Sequence, residues 1–442
     1  MAQHKASLKN ILLNLKNKNN FVFLDNSKVS ESDSVSYLFQ DPIEIISANK
    51  LAEINPSLEA IEGRIKKGYF AAGFLSYEIG FGFEPSLKID KKSNFPYLWF
   101  GIYKKPITYS HKSTIFTDDT PYNRYTIKNL KPNISEKEYT QSIKKIKQFI
   151  EKGDTYQVNY TFMLDFDFKG SIEQIYLALR QKQRVPYSAL IKFNNQYILS
   201  FSPELFFKKR DANIAVKPMK GTASRGRTTK EDKENIKALS KCSKNRSENI
   251  MIVDLLRNDL GRICKTDSVR TTKFFEVEKY ESLLQMTSTV EGKMQSNTSI
   301  AEMFKATAPS GSVTGAPKIS SMRIIDELEK SPRKIYTGNI GFITPKKLAT
   351  FNVAIRTLLI NSKTHKAQMG IGSGIVYDSG TENEYQECLL KSDFLTKQHK
   401  DFSLIETLLW EPKKGYLLLK YHLKRLEDSA EYFNFLCNKM IY

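Results

Sequence analysis

The chain has 442 residues, of which 40% are hydrophobic and 12% aromatic. This length is several times that of an ordinary domain, so the sequence can bury a large core and has room for more than one folding unit. No run of about 18 apolar residues occurs, and the N-terminus lacks the apolar core of a signal peptide, so we predict no membrane association and a cytoplasmic location.

The formal net charge is +20. The lysines are interspersed with acidic residues and asparagines and form no single stripe, which argues against nucleic acid as a partner. A positive surface does favour encounters with a small anionic substrate. The cysteines are too far apart for a CxxC metal pair and too sparse to staple a chain of this length, so we expect them to be reduced; they are Cys242, Cys264, Cys388 and Cys437.

Residues 1–125 form a predicted sheet-rich lobe. Short β-leaning runs recur there between clusters of Asn, Ser, Pro and Lys; they are FVFLD (21–25), YFAAGFLSYEIG (69–80) and PYLWFGIY (96–103). From Ser135 the apolar spacing becomes helical, with Ile143 and Ile146 on one face. A second lobe is therefore predicted to begin near this point.

Strands and helices are interleaved over residues 126–398, the predicted second lobe. The strand-like runs are YSALIKF (187–193), QYILSFSP (196–203), ATFNVAIRTLLI (349–360) and AQMGIGSGIVYD (367–378). The helical runs are SIEQIYLALRQK (171–182), RSENIMIVDLLRNDLGR (246–262), SIAEMFKAT (299–307) and SSMRIIDELEK (320–330). Strands grouped in pairs with helices between them predict an α+β fold, with antiparallel sheets packed face to face and helices outside.

The residue pattern changes again over residues 399–442, at the polar linker KQHKDF. This tail reads as strand, turn, strand and helix. About forty residues are too few to bury a core of their own. The tail is therefore either docked on the main body or a fragment of something longer.

Several acidic side chains can be placed on predicted helices. Glu248 lies in a helix whose apolar residues nearly encircle the axis, as in a helix buried against a sheet. Glu384, Glu387 and Lys391 share one face of another helix. By spacing alone, a solvated, salt-bridged face is the favoured interpretation. Carboxylates that converge from two helices would instead suit Mg2+, which prefers hard oxygen ligands.

Two glycine-bearing loops are candidates for anion binding. In APSGSVTGAPKISSM (308–322), Pro317 suits the first turn of a helix, with Ser312 or Thr314 near its cap, so free N–H groups would face one spot. In MGIGSGIVYDS (369–379), alternate glycines let the backbone approach a ligand closely. Each loop alone is equally consistent with a plain tight turn.

Two further residues are candidates for catalysis. Lys220 lies between an apolar strand end and a glycine turn. An exposed lysine is the usual case, but a partly desolvated lysine can lose its proton near neutral pH and act as a nucleophile. Glu204 follows Pro203 at a strand end and is either a general acid or base or a plain loop charge.

Taken together, these stretches resemble the chorismate-utilising enzyme family, which includes anthranilate, isochorismate and aminodeoxychorismate synthases. The matching motifs follow the family order; they are GDTYQVNYT (153–161), SPELF (202–206), PMKGT (218–222), SENIMIVDLLRNDLGRIC (247–264), SGSVTGAPK (310–318), YTGNIGF (336–342), AIRTL (354–358), GSGIVYDS (372–379) and ENEYQECLLK (382–391). Residues 1–125 resemble the N-terminal lobe of the anthranilate and aminodeoxychorismate synthases, through motifs that match less strongly. The resemblance implies the chorismate-utilising fold, with chorismate as the substrate.

Lys220 favours one branch of this family. The corresponding residue is usually alanine in the anthranilate and isochorismate branches, whereas the PxKGT pattern resembles the aminodeoxychorismate branch. The resemblance implies that this lysine adds to C2 of chorismate with loss of the C4 hydroxyl. Ammonia then enters at C4 and expels the lysine, which splits one hard displacement into two easier ones. An anthranilate synthase large subunit is the alternative.

The resemblance also implies a metal site and an acid. Glu248 and Glu387, supported by Glu384, would hold Mg2+ on the ring carboxylate of the substrate beside Lys220. Glu204 would protonate the leaving hydroxyl.

The substrate-binding residues that the resemblance implies are Arg356, Tyr336, Gly372, Ser373, Gly374, Ser312, Thr314, Gln157 and Lys391. The planar guanidinium of Arg356 would receive the enolpyruvyl carboxylate. Gln157 matches a glutamine of the amino-transferring branches. Gln285 stands where the anthranilate branch commonly has a histidine, which fits a synthase that stops before pyruvate is eliminated.

The partners follow from what the sequence lacks. No cysteine lies in a GxCxG-type turn, so we expect ammonia to come from a separate glutamine amidotransferase subunit or from solution. The tail from Phe402 resembles the opening of aminodeoxychorismate lyase, a pyridoxal-phosphate enzyme, through FSLIETLLW and HLKRLEDSAEYFNF. The cofactor lysine of that enzyme would lie beyond Tyr442. We therefore expect no lyase activity and interpret the tail as a truncated or interrupted fusion.

Overall fold

The structure, a computed structural model, describes residues 4–28, 34–88, 91, 93–111, 114–117, 125–281, 283–396 and 402–433. The strands are β1 (His4–Ser7), β2 (Phe21–Asp25), β3 (Val35–Gln40), β4 (Glu44–Ala48), β5 (Phe70–Leu75), β6 (Leu98–Tyr103), β7 (Ile107–Ser110), β8 (Thr114–Thr117), β9 (Tyr125–Pro132), β10 (Gln157–Gly170), β11 (Tyr187–Phe193), β12 (Gln196–Ser202), β13 (Leu205–Arg210), β14 (Asn213–Lys217), β15 (Met219–Ser224), β16 (Arg270–Lys279), β17 (Leu283–Lys293), β18 (Gly315–Ala316), β19 (Asn339–Ile343), β20 (Leu348–Val353), β21 (Thr357–Asn361), β22 (Lys366–Ile375), β23 (Trp410–Glu411) and β24 (Gly415–Tyr416). The helices are α1 (Leu8–Leu15), α2 (Ile54–Lys66), α3 (Ile79–Phe83), α4 (Glu136–Glu151), α5 (Ile172–Lys182), α6 (Thr229–Lys241), α7 (Ser243–Gly261), α8 (Ile300–Thr307), α9 (Lys318–Leu328), α10 (Thr381–Leu390), α11 (Asp393–Thr396) and α12 (Leu419–Phe433), with 3-10 turns at Leu51–Glu53 and Gly311–Val313.

Two ten-stranded antiparallel sheets form the body of the chain. The first sheet has the order β18-β10-β22-β21-β12-β11-β2-β3-β7, with β9 also paired to β10. The second has the order β15-β17-β14-β13-β20-β19-β5-β6-β4, with β16 also paired to β17. Strands from residues 1–125 extend both sheets, so the sheets run across the predicted lobe boundary. The division into lobes stays a prediction.

The two large sheets pack face to face, and aromatic side chains fill the space between them. The rings of Phe39 in the first sheet and Phe342 in the second are 5.9 Å apart, and those of Phe74 and Phe193 are 5.1 Å apart. Helices α4, α5, α9 and α10 pack on the outer face of the first sheet, and α2, α7 and α8 on that of the second. The predicted α+β fold, with antiparallel sheets face to face and helices outside, is confirmed.

Helix α4 shows how local sequence sets these elements. Its N-cap Ser135 accepts a hydrogen bond from the backbone N–H of Glu138 (3.3 Å), and the Glu138 carboxylate accepts one from the Ser135 N–H (2.8 Å). Tyr139, Ile143 and Ile146 form its buried face. The helix predicted after Ser135 is confirmed.

Helix α7 packs against the second sheet, where it contacts β15 and β17. One of its faces is buried, through residues such as Ile252, Val253 and Leu256, while Ile250 is 43% exposed. The predicted helix against a sheet is confirmed.

The described part of the tail is docked through its last helix. Tyr432 of α12 donates a hydrogen bond to the carbonyl of Gly226 (2.6 Å), and its ring lies 4.5 Å from the Arg225 guanidinium. Before that helix the only strands in residues 402–433 are β23 and β24, so most of the predicted first strand is irregular. Cys437 and His399 lie outside the described residues. No helix in the described ranges is long and apolar enough to cross a bilayer.

Candidate active site

The candidate site lies where the chain passes twice between the two sheets. Strand β12 ends at Ser202 in the first sheet, and β13 begins at Leu205 in the second. Strand β20 ends at Val353 in the second sheet, and β21 begins at Thr357 in the first. The two crossings are joined, because the Val353 N–H donates to the carbonyl of Glu204 (3.1 Å). The predicted acid and the predicted guanidinium are therefore carried on neighbouring crossings.

Lys220 lies in a β-bulge of β15. The register of β15 against β17 shifts between Met219 and Thr222, and Gly221 adopts a φ of +92°, which favours glycine. A bulge of this kind re-aims a side chain out of the sheet pattern. Gln285 supports it: its Nε2 donates to the Gly221 carbonyl (3.0 Å), and its Oε1 accepts from the Thr222 hydroxyl (3.1 Å).

The amine of Lys220 reaches across to the first sheet. A Cβ placed on Gly374 of β22 would lie 2.6 Å from the Lys220 Nζ and 2.9 Å from the Nε2 of Gln157. Within the described residues, neither amide atom of the buried Gln157 has a hydrogen-bond partner. Buried polar groups are nearly always paired. An unpaired amide beside an amine therefore indicates a place for a ligand.

Electrostatics favour the neutral form of this amine. Burial lowers the pKa of Lys220, and the positive charge of Lys391 lowers it further. The carboxylates of Glu248, Glu204 and Glu384 act in the opposite direction. Desolvation is the largest of these effects, so the lysine loses its proton more easily than one in water.

Glu204 is a buried acid at the same site, with 4% of its surface exposed. Burial raises the pKa of this carboxyl to about 7, although the hydroxyl of Ser312 donates to it (2.5 Å) and the charge of Lys220 lowers it. The Ser310 hydroxyl lies 2.9 Å from that of Ser312 and continues the chain of hydrogen bonds. A carboxyl with this pKa can hold a proton near neutral pH and release it to a leaving group.

The three predicted metal ligands are only partly brought together. The charges of Glu248 and Glu384 both raise the pKa of Lys220. Glu387 instead pairs with Lys391 (2.9 Å), and the Glu387 side chain is 60% exposed. Across the described residues, no group of three or more His, Cys, Asp or Glu side chains is close enough to hold a metal ion. Carboxylate oxygens suit Mg2+. The donor chemistry therefore fits, but a three-carboxylate cluster is not assembled.

Arg356 occupies a strained position at the second crossing. Its φ of +50° is in the left-handed region, which residues other than glycine rarely adopt and which is common at functional sites. Its guanidinium donates to the side chain of Gln183, and burial lowers its pKa. The ring of the buried Tyr336 packs against Gly370, the first of the alternating glycines of β22.

The remaining predicted residues contribute unequally. Lys391 donates to the carbonyl of Gly372 (2.9 Å), which places its charge at the glycine strand. The Ser373 hydroxyl lies 3.3 Å from that of Tyr139 in the outer helix layer, on the face opposite Gly372. The substrate contact was expected from the backbone amides of this strand, so the role of Ser373 stays a prediction. The Thr314 hydroxyl bonds to a carbonyl of its own turn (3.0 Å) and so stabilises the loop.

One pair near the site was missed from the sequence. The Lys318 Nζ donates to Asp259 of α7 (2.6 Å) and to the carbonyl of Thr307 (3.2 Å), so it ties the start of α9 to the helix that carries Glu248 and to the end of α8. Burial raises the pKa of Asp259. The two residues are 59 positions apart, and no local spacing signals the contact.

A family model described as chorismate binding enzyme matches residues 16–397, and the chain belongs to this family. Aminodeoxychorismate synthase component 1 of Escherichia coli (strain K12) is 31% identical over 391 residues, which are 84% of this chain and 85% of that protein.

Other relatives are matched over a smaller share or belong to another branch. Aminodeoxychorismate synthase component 1 of Bacillus subtilis (strain 168) is 37% identical over 258 residues, 58% of this chain. The chain covers about half of that relative, 54% of its length. The crystal structure of anthranilate synthase component I from Streptococcus pneumoniae TIGR4 has a TM-score of 0.72 and 26% identity, and the match covers 84% of this chain and 93% of that one.

Proposed function

We propose that the chain is an aminodeoxychorismate synthase subunit, which uses ammonia to convert chorismate to 4-amino-4-deoxychorismate. The observation that carries this proposal is the poorly solvated amine of the half-buried Lys220, which lies beside Gly374 and the unpaired amide of Gln157. A neutral amine at this position can act as a nucleophile. The similarity to component 1 of two aminodeoxychorismate synthases supports the same branch.

In this proposal the amine adds to C2 of the ring, the ring double bonds shift, and the C4 hydroxyl leaves as water after it takes a proton from Glu204. Ammonia then adds at C4, the double bonds shift back, and the Lys220 amine is expelled from C2. Glu204 suits the first step because it is buried and its pKa is about 7, so a large fraction is protonated near neutral pH. Ser312 orients that carboxyl.

The same proposal includes Mg2+, because the substrate carries a ring carboxylate. Mg2+ is commonly bound by one or two protein carboxylates together with substrate oxygens, and Glu248 and Glu384 would provide them. When bound, the ion neutralises the ring carboxylate. Glu387 would join only after its pair with Lys391 opens. Titration of the chain with Mg2+ plus chorismate, followed by calorimetry, should give binding that Glu248→Gln weakens.

Ammonia is proposed to come from a separate glutamine amidotransferase subunit, since the two bacterial relatives are named component 1 of their synthases. Free ammonium salt should replace that subunit in the assay. We place the pathway in p-aminobenzoate and folate synthesis, where a lyase consumes the product.

The test is to incubate the chain with chorismate, Mg2+ and ammonium, and then to add a lyase that forms p-aminobenzoate. Lys220→Ala should abolish product and any covalent adduct detected by intact-mass measurement. Lys192→Ala is a matched control, because burial also lowers the pKa of Lys192 but it lies at the far end of β11, where it donates to the Lys16 carbonyl (3.0 Å). Full product formation by Lys220→Ala would exclude the lysine as the nucleophile.

An anthranilate synthase large subunit is the second candidate, favoured by the TM-score of 0.72 with the anthranilate synthase structure. That activity would give a fluorescent product with release of pyruvate, and Lys220→Ala would not abolish it. The same incubation therefore separates the two candidates.

A further inference from the structure

Arg333 is a fully buried cation behind the candidate site, with 2% of its surface exposed. Its guanidinium pairs with Glu329 through two hydrogen bonds, from Nε to Oε2 (2.9 Å) and from Nη2 to Oε1 (2.6 Å). The ring of Tyr77 lies 4.3 Å from the guanidinium carbon. Buried ion pairs of this kind are weak contributors to stability, because desolvation offsets their attraction. Stability alone therefore does not explain this ion pair.

The remaining N–H groups of the guanidinium donate to two backbone carbonyls and one hydroxyl in the segments that surround the candidate site. Nη1 donates to the carbonyl of Val313 (2.7 Å) and to the hydroxyl of Thr337 (3.3 Å), and Nη2 donates to the carbonyl of Asn159 (2.6 Å). With the two bonds to Glu329, every N–H of the guanidinium has an acceptor. The cation thus joins the 311–314 turn, the start of β10 and the turn before β19.

Two of these contacts lie within two residues of groups that take part in the proposed chemistry. Val313 follows Ser312, whose hydroxyl donates to Glu204. Asn159 is two residues beyond Gln157 on β10. The spacing of two along a strand brings Gln157 and Asn159 to the same face of the sheet.

Glu329 extends the same unit to the neighbouring strand. Its Oε1 accepts from the N–H (2.8 Å) and the hydroxyl (2.9 Å) of Thr161, which pairs with Gly372 of β22. The Glu78 carboxylate accepts the N–H of Arg333 (2.6 Å) and so fixes the backbone from which the guanidinium extends.

We propose that Arg333, held by Glu329, is a positioning residue: it sets the 311–314 turn and the start of β10 so that Ser312 meets Glu204 and Gln157 faces Lys220. This role rests on the proposed function, since it concerns the same acid and amine. A shift of about 1 Å in such groups costs on the order of a hundredfold in turnover. Binding of chorismate, which depends on other groups as well, should change less.

The test separates positioning from stability. In the double variant Glu329→Leu with Arg333→Met, both charges are removed together, so no uncompensated charge is left and the fold should persist. We expect kcat for chorismate consumption to fall about a hundredfold, with a much smaller change in KM. Arg333→Lys keeps a charge beside Glu329 but has three donors in place of five, so it should also lose turnover while it stays folded.

The matched control is the Arg180–Asp25 pair, which is equally buried and joins α5 to β2 (2.5 Å). Arg180→Met with Asp25→Leu should change the melting temperature without the same loss of kcat. Unchanged kcat in a folded double variant at Arg333, or an equal loss in the control, would overturn the proposal. Because chorismate consumption is followed, a wild-type chain that releases anthranilate would refute the proposed function and would still report on Arg333.

Discussion

Ser312→Ala offers a sharp test of the acid assigned to Glu204. The Ser312 hydroxyl donates to that carboxylate (2.5 Å) and lowers its pKa, which burial has raised to about 7. A hydrogen bond to a charged group contributes about 1.5–3 kcal/mol, and about 1.4 kcal/mol corresponds to one pH unit. We take the lower end of this range and expect the pKa to rise by about one unit.

The sign follows from the role of the group. An acid must be protonated to act, so turnover falls as pH rises through the pKa of Glu204, and a higher pKa moves this alkaline limb upward. At pH 8 the protonated fraction would rise from about a tenth to about a half, so the variant should retain about fivefold more of its optimal rate than the wild type does.

The assay is kcat against pH with the concentration of unprotonated ammonia held constant. Ser320→Ala is a suitable control, because that exposed hydroxyl donates to the Asp154 carbonyl outside the site (2.6 Å). An alkaline limb that stays in place would refute the assignment of Glu204 as the acid. Movement of the acidic limb instead would identify Glu204 as a base.

Three further outcomes are expected. The pKa of Glu204 is about 7 in the native state and 4.5 in the unfolded state, so ionisation between pH 4 and pH 8 destabilises the wild type. Glu204→Gln cannot ionise, so its free energy of unfolding relative to the wild type should increase by about 3 kcal/mol from pH 4 to pH 8. Chemical denaturation at both pH values measures this difference. Gly374→Ala should inactivate the enzyme, since its methyl would lie 2.6 Å from the reactive amine, whereas Gly63→Ala in α2 meets nothing within 4 Å and should stabilise by about 0.5–1 kcal/mol. Tyr432→Phe removes the bond to Gly226, worth about 1 kcal/mol, and limited proteolysis of α12 should become about fivefold faster; unchanged cleavage would show that this bond does not hold the helix.

The elements that were predictable from the sequence are those with a local physical cause. Helix α4 follows from the Ser135 and Glu138 capping box and from its apolar spacing, and strand β11 coincides with the run YSALIKF. The break after Val353 was not predicted, because the run 349–360 was interpreted as one strand, whereas the chain passes there from one sheet to the other.

The site was predictable only in part. Lys220 and Glu204 were found through family motifs, and Gly221 beside Lys220 is a local sign of the bulge. Arg333 was hidden: α9 ends at Leu328 and Pro332 intervenes, so its pairing with Glu329 is not a contact within one helix. The face of β22 on which the Ser373 hydroxyl lies depends on the pairing register of that strand. The sequence alone does not determine this register.

The pairing of β10 with β22 has a consequence for how the protein is made. Val158 pairs with Ile375, so 217 residues must be synthesised after Val158 before its partner exists. At about 5–20 residues per second the ribosome needs on the order of ten to forty seconds for that stretch. During this interval an apolar strand has an open edge, which is a site for aggregation. Nascent chains of this protein should therefore depend on chaperones until β22 has emerged.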